Sequence, residues 1–204
     1  MLATMTAALF LIQDPAPAEA AELVELKSVV PDVILDLRYA AKNNFTKTKL
    51  YPVARCFLAR SAAERLARVQ ADLKPDGLRL KVYDGYRPLS VTKKMWDLIR
   101  DERYVADPAK GSRHNRGVAV DVTLVDRRGR ELPMPTGYDD FSERAHRDYM
   151  KLSPERLRNR QRLEDAMTKH GFVGFETEWW HFDTEDWKRY PVNDIPLETL
   201  AKRR

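Results

Sequence analysis

The chain has 204 residues, of which 43% are hydrophobic and 33% charged, and 36 Lys and Arg against 31 Asp and Glu give a formal net charge of +5. This length suits one ordinary domain, and the many aromatics with both charge signs exclude a disordered chain. The basic excess is dispersed among acids or on solvated faces and indicates no nucleic-acid partner, while the single cysteine, Cys56, excludes an intrachain disulfide and a cysteine-based zinc site.

Residues 1–20 open with an apolar run of signal-peptide length, followed by an alternating alanine pattern around APAEA. We read them as an export signal or disordered extension ahead of one domain at 21–204, in spite of the missing Lys or Arg before the run. The run is too short to span a bilayer as a helix, so no membrane span is expected in the mature form. The compartment expected is the periplasm or the exterior, with the cytoplasm as the alternative.

The stretch 33–40 alternates Val33, Leu35, Leu37 and Tyr39, the pattern of a half-buried strand. Ser61 and Glu64 stand in capping-box spacing and predict a helix that stops at Pro75 and Gly77. A strand follows over 78–84, then a helix capped near Ser90 and running to about Glu102. The stretch 117–125 reads as a buried strand. Ser153 with Pro154 predicts a helix start, and Gly171 its stop. A last strand is expected over 173–183. The order defines a single α+β domain with a mixed or antiparallel central sheet flanked by helices.

There are four histidines: His114, His146, His170 and His181. His170 reads as a residue favourable to a helix dipole and His146 as surface polar. His114 lies in a glycine-bounded polar turn that feeds the strand holding Asp121, and His181 follows Glu178 by three residues. Hydrolytic zinc takes three nitrogen or carboxylate ligands and leaves a fourth position for water, and His114, Asp121 and His181 form such a set. Glu178 is then the candidate general base. In ideal strands 114 and 121, like 178 and 181, point to opposite faces, so convergence requires a bend at Gly117 and a bulge or strand end near Glu178. Singly, each residue is as readily a hydrogen-bonded core group, and Trp179 and Trp180 read as packing.

Taken together, these residues resemble the zinc D-alanyl-D-alanine dipeptidases of the VanX type, within the D-Ala-D-Ala peptidase family. The pattern Ser-x-His-x-x-Gly-x-Ala-x-Asp is filled by Ser112, His114, Gly117, Ala119 and Asp121, and Glu-x-x-His by Glu178 and His181. The segments 37–45, 83–88 and 141–146 extend the likeness over roughly residues 30–185. The resemblance implies the hedgehog-like peptidase fold and one zinc per chain held by His114, Asp121 and His181. It implies Glu178 as base and Arg87 as the cation that stabilises charge on the attacked carbonyl. It further implies Ser112 at the substrate carboxylate and Asp139 at its ammonium, with Asp140 as a rival and Tyr39 as a further candidate. Pro135 and Tyr138 depart from the loop of relatives.

The activity expected is hydrolysis of a small dipeptide, D-Ala-D-Ala, in peptidoglycan turnover or glycopeptide resistance. The alternatives are a D,D- or L,D-carboxypeptidase acting on wall stem peptides, and a non-catalytic module that binds wall peptides.

Overall fold

The computed structural model describes residues 14–102 and 104–203, so most of the expected N-terminal extension lies outside the described residues. In chain order the helices are α1 (Ala18–Ala21), α2 (Leu26–Val29), α3 (Arg60–Leu73), α4 (Leu89–Ile99), α5 (Pro154–Thr168) and α6 (Leu197–Ala201). The strands are β1 (Leu23–Glu25), β2 (Ile34–Leu35), β3 (Phe57–Ala59), β4 (Arg79–Asp84), β5 (Ala119–Val125), β6 (Phe172–Phe175) and β7 (Glu178–Thr184).

The central sheet has the order β2-β4-β5-β7-β6 and is antiparallel except for the parallel β2–β4 pair. A separate two-stranded sheet joins β1 to β3. This is the mixed α+β sheet anticipated from the sequence. Every residue of β5 is buried, in keeping with its near-continuous apolar run. Val120, Val122 and Leu124 of β5 join Leu66 and Val69 of α3 and Leu163 and Met167 of α5 in one core. Because side chains alternate along a strand, Asp121 leaves β5 from the opposite face.

Several boundaries differ from expectation. The capping box does not form: α3 starts at Arg60, its N-cap is Ala59, and the Ser61 hydroxyl instead lies 2.7 Å from the Tyr190 hydroxyl. The Arg60 amide donates to Glu22 O, so a neighbouring segment supplies an acceptor at this helix start. Helix α4 begins behind Pro88, with the Ser90 amide capped by Asp194 from the far end of the chain at 2.7 Å. It ends at Arg100, whose positive φ of 49° turns the backbone left-handed, short of Glu102. The strand expected over 33–40 shrinks to β2, and a 3₁₀ turn at Arg38–Ala40 carries Tyr39 away from the sheet. The single last strand is a hairpin, β6 and β7, broken at the exposed Glu176 and Thr177.

The expectations at the two ends of α5 hold. Ser153 caps α5 by accepting from the Arg156 amide, with Pro154 at the first helical position, a contribution of about 1 kcal/mol. Gly171 has a φ of 77°, suited to the stop beyond α5. His170 is bonded to Asp72 at 2.8 Å. At the front of the described chain, the Ala16 amide donates to Arg189 O and α1 packs on α3. Among the described residues, no helix is long and apolar enough to cross a membrane.

Candidate active site

Strand register brings the first acidic and imidazole groups together. Asp121 of β5 is paired directly with Asp84 of β4 on one side and with His181 of β7 on the other. Directly opposed residues share a face, so these two strand pairs deliver Asp84, Asp121 and His181 to one face of the sheet. His114 arrives from a 3₁₀ turn, His114–Arg116, closed by Gly117 at a φ of 71°. A side chain at Gly117 would also meet Leu23 at 2.5 Å, so this bend is reserved for glycine.

The convergence is close. His181 Nδ1 lies 3.0 Å from Asp121 Oδ1 and 3.1 Å from His114 Nε2, and His114 Nε2 lies 3.5 Å from Asp121 Oδ1. A tetrahedral zinc with bonds of about 2.0–2.1 Å needs ligand atoms about 3.3 Å apart. The three donors are therefore dimensioned for such an ion and could hold it with one position left open.

Each histidine is fixed from behind. His114 Nδ1 is 2.8 Å from Gly85 O, which makes it the N–H donor and leaves Nε2 for the common point. His181 Nε2 is 3.0 Å from Asp183 Oδ1, which leaves Nδ1. Asp183 is also ion-paired with Arg113, whose guanidinium lies over the Phe175 and Trp187 rings. Burial alone would lower the His181 pKa, but Asp183 and Asp121 outweigh it and hold the ring well above its ordinary value. Burial opposes ionisation of Asp121 too, yet His114 and His181 hold its carboxyl below the usual range. The point thus favours positive charge.

Glu178 stands at the first position of β7, just after a register shift between Gly174 and Phe175, so strand end and irregularity together bring it round to His181. Its Oε2 lies 3.9 Å from His181 Nδ1, near the donor triangle but outside it. Burial is the main cause that raises its pKa, opposed by His181. A carboxylate of raised basicity beside a metal position can accept a proton from water.

The triangle and Glu178 border a cavity of about 370 Å³ that Tyr39, Arg87, Ser112 and Asp139 also line. Arg87 is buried and donates through Nε and one Nη to Asp84 Oδ2, at 3.0 and 2.6 Å. Tyr51 and the Gly85 amide donate to Asp84 Oδ1, at 2.6 and 2.9 Å. Burial works against the Arg87 charge, and Asp84 with the surrounding tyrosines more than restores it. Ser112 is tied to Asn115, whose side chain in turn donates to Arg87 O and Thr92 Oγ1. Asp139 adopts a left-handed φ of 59° and accepts from Tyr39 at 3.2 Å. Burial, reinforced by the charge of Asp121, pushes the Asp139 pKa up to about 8. Its rival Asp140 is exposed and accepts from the Ser142 amide.

Sequence reading passed over Asp84, Asp183 and the role of Tyr138, which donates to Asp121 Oδ2 at 2.9 Å. The parity of 181 and 183 along one strand, and the three-residue step from Asp84 to Arg87, were the signals available.

Residues 19–198 match the family described as D-ala-D-ala dipeptidase, and the chain belongs to that peptidase family. It is 39% identical over 175 residues to the D-alanyl-D-alanine dipeptidase of Escherichia coli (strain K12), covering 86% of this chain and 91% of that one. It is 32% identical over 199 residues to the D-alanyl-D-alanine dipeptidase of Enterococcus faecium, covering 85% and 96%. Among solved structures, the LdcB LD-carboxypeptidase aligns with a TM-score of 0.49 at 20% identity, over 82% of this chain and 68% of its own, too distant to bear on substrate.

Proposed function

We propose that this protein is a zinc peptidase that hydrolyses D-alanyl-D-alanine to two D-alanines. The observation that carries the reading is the triangle of His114, Asp121 and His181, with donor edges of 3.0–3.5 Å and Glu178 3.9 Å away. Zinc bound there supplies Lewis acidity and lowers the pKa of water to about 7.

The remaining work falls to this chain's side chains. Glu178 takes the proton of the attacking water and returns it to the leaving amine. Arg87, oriented by Asp84, stabilises the negative charge that develops on the carbonyl oxygen. Ser112 receives the substrate carboxylate. Asp139, with Tyr39 bonded to it, receives the ammonium, and a half-buried acid at that end favours a free dipeptide over an acylated chain. The partner is therefore a small zwitterionic dipeptide.

An exported or periplasmic location accords with the apolar run in residues 1–20. Mass spectrometry of the mature protein tests it; a cut after residue 20 would remove the Ala16–Arg189 hydrogen bond.

The activity is tested by D-alanine release from D-Ala-D-Ala and from its N-acetylated form, using zinc-loaded protein. Release from the free dipeptide alone is expected. Release mainly from the acylated form would assign a carboxypeptidase, and no turnover of either a binding module.

A further inference from the structure

Among the three donors at the metal position, Asp121 is distinguished by how its second polar atom is held. His114 is fixed through a backbone carbonyl and His181 through Asp183. Asp121 presents Oδ1 to the two imidazoles, and its Oδ2 accepts from Tyr138 at 2.9 Å. The Tyr138 ring is itself immobilised, stacked on Tyr83 with centroids 4.6 Å apart and set edge-on against Trp180 at 5.5 Å.

We infer that Tyr138 is a positioning residue that keeps Asp121 a one-oxygen ligand. The inference rests on the zinc reading above. A ligating carboxylate whose second oxygen is free can rotate until both oxygens face the metal, filling the position that water must occupy. A hydroxyl bonded to Oδ2 opposes that rotation, and it also draws off carboxylate charge.

The hydrogen inventory supports the direction of this bond. Asp121, Tyr138, Tyr39 and Asp139 form a path with links of 2.9, 3.3 and 3.2 Å. With Asp139 ionised, as pairing with an ammonium requires, two hydroxyl hydrogens serve these three links. Tyr138 has a carboxylate on one side and a neutral hydroxyl on the other, and the carboxylate is the stronger acceptor. Its single hydrogen therefore belongs to Asp121, while Tyr39 spends its own on Asp139. Tyr138 thus serves the metal end of the cavity and Tyr39 the ammonium end, although their oxygens are only 3.3 Å apart.

The test compares Tyr138→Phe with Tyr39→Phe, each keeping its ring and losing one hydroxyl. Zinc affinity is measured by competition with a chromophoric chelator, and the coordination number by the visible spectrum of the cobalt-substituted protein. Tyr138→Phe is expected to bind zinc 10–100-fold more weakly and to shift the cobalt spectrum toward higher coordination, with the metal-free melting temperature unchanged. Tyr39→Phe is expected to stay within twofold of wild type in zinc affinity. A Tyr138→Phe affinity within twofold of wild type, an unaltered cobalt spectrum, or an equal loss in Tyr39→Phe overturns the inference. So does a marked drop in the metal-free melting temperature, which would assign the effect to packing. None of these readouts depends on which peptide is cleaved, so failure here leaves the dipeptidase reading standing.

Discussion

The two ends of the cavity are built differently. The metal end rests on β5 and β7, paired strands at the centre of a five-stranded sheet, where Asp121 and His181 face one another in fixed register. The end proposed to receive the ammonium rests on a 3₁₀ turn that carries Tyr39 and on a loop in which Asp139 takes a left-handed conformation. Two of the three metal donors and Glu178 thus sit on strands, with His114 on a glycine-closed turn, whereas the side chains proposed for recognition sit on a turn and a loop.

The contrast can be broken hardest at the metal end. His181→Ala removes one of three donors and leaves Asp183 without its imidazole partner; we expect zinc stoichiometry near zero and activity at background, measured by metal analysis and D-alanine release. Glu178→Gln lies just outside the triangle, so zinc should remain bound while kcat falls by about 10²–10⁴-fold. Loss of both metal and rate in that variant would make Glu178 a ligand instead of a base.

Substitution at the other end should move binding more than rate. Asp139→Asn removes the charge facing the ammonium at a cost of about 2 kcal/mol, which is roughly a 30-fold rise in KM with kcat much less affected. An equal fall in kcat would show that the two ends are not separable.

The smallest effect expected is one of pH. Free Asp139 holds its proton up to about pH 8, and pairing with an ammonium requires that proton to leave. KM should therefore fall as pH rises from 6 toward 8, by at most about tenfold per unit, and this slope should vanish in Asp139→Asn. Stability carries the opposite sign. An unfolded aspartate titrates near 3.9, so between about pH 4 and 8 the folded state binds a proton that the unfolded state does not. This contribution to stability is full below about pH 4 and is lost as pH rises through about 8. Melting temperatures of wild type and Asp139→Asn across that window measure it.

The sequence disclosed the two ends unequally, and for the same reason. Buried strands and a glycine-closed turn leave strong local patterns, so β5, the Gly117 bend and the α5 start at Ser153 were legible from residue types alone. The capping box at Ser61 was locally sound, but tertiary contact with Tyr190 claimed the hydroxyl. The break between β6 and β7 was missed because Glu176 and Thr177, at the turn itself, are not turn-forming types, and Gly174 just before them reads as part of the strand. Asp84 and Asp183 lie within three residues of Arg87 and His181, but only the register of β4, β5 and β7 gathers those pairs into one site, and only the fold of the Asp139 loop brings Tyr138 to Asp121.

The direct pairing of Asp121 with His181 also bears on assembly of the fold. Sliding β7 by one residue along β5 would set Trp180 or Phe182 opposite Asp121 and turn the imidazole into the apolar core. Such a slipped chain could keep most of its backbone ladder yet would have no place for the ion. An ion bound at that point would stabilise only the chain whose two central strands have met in the correct phase.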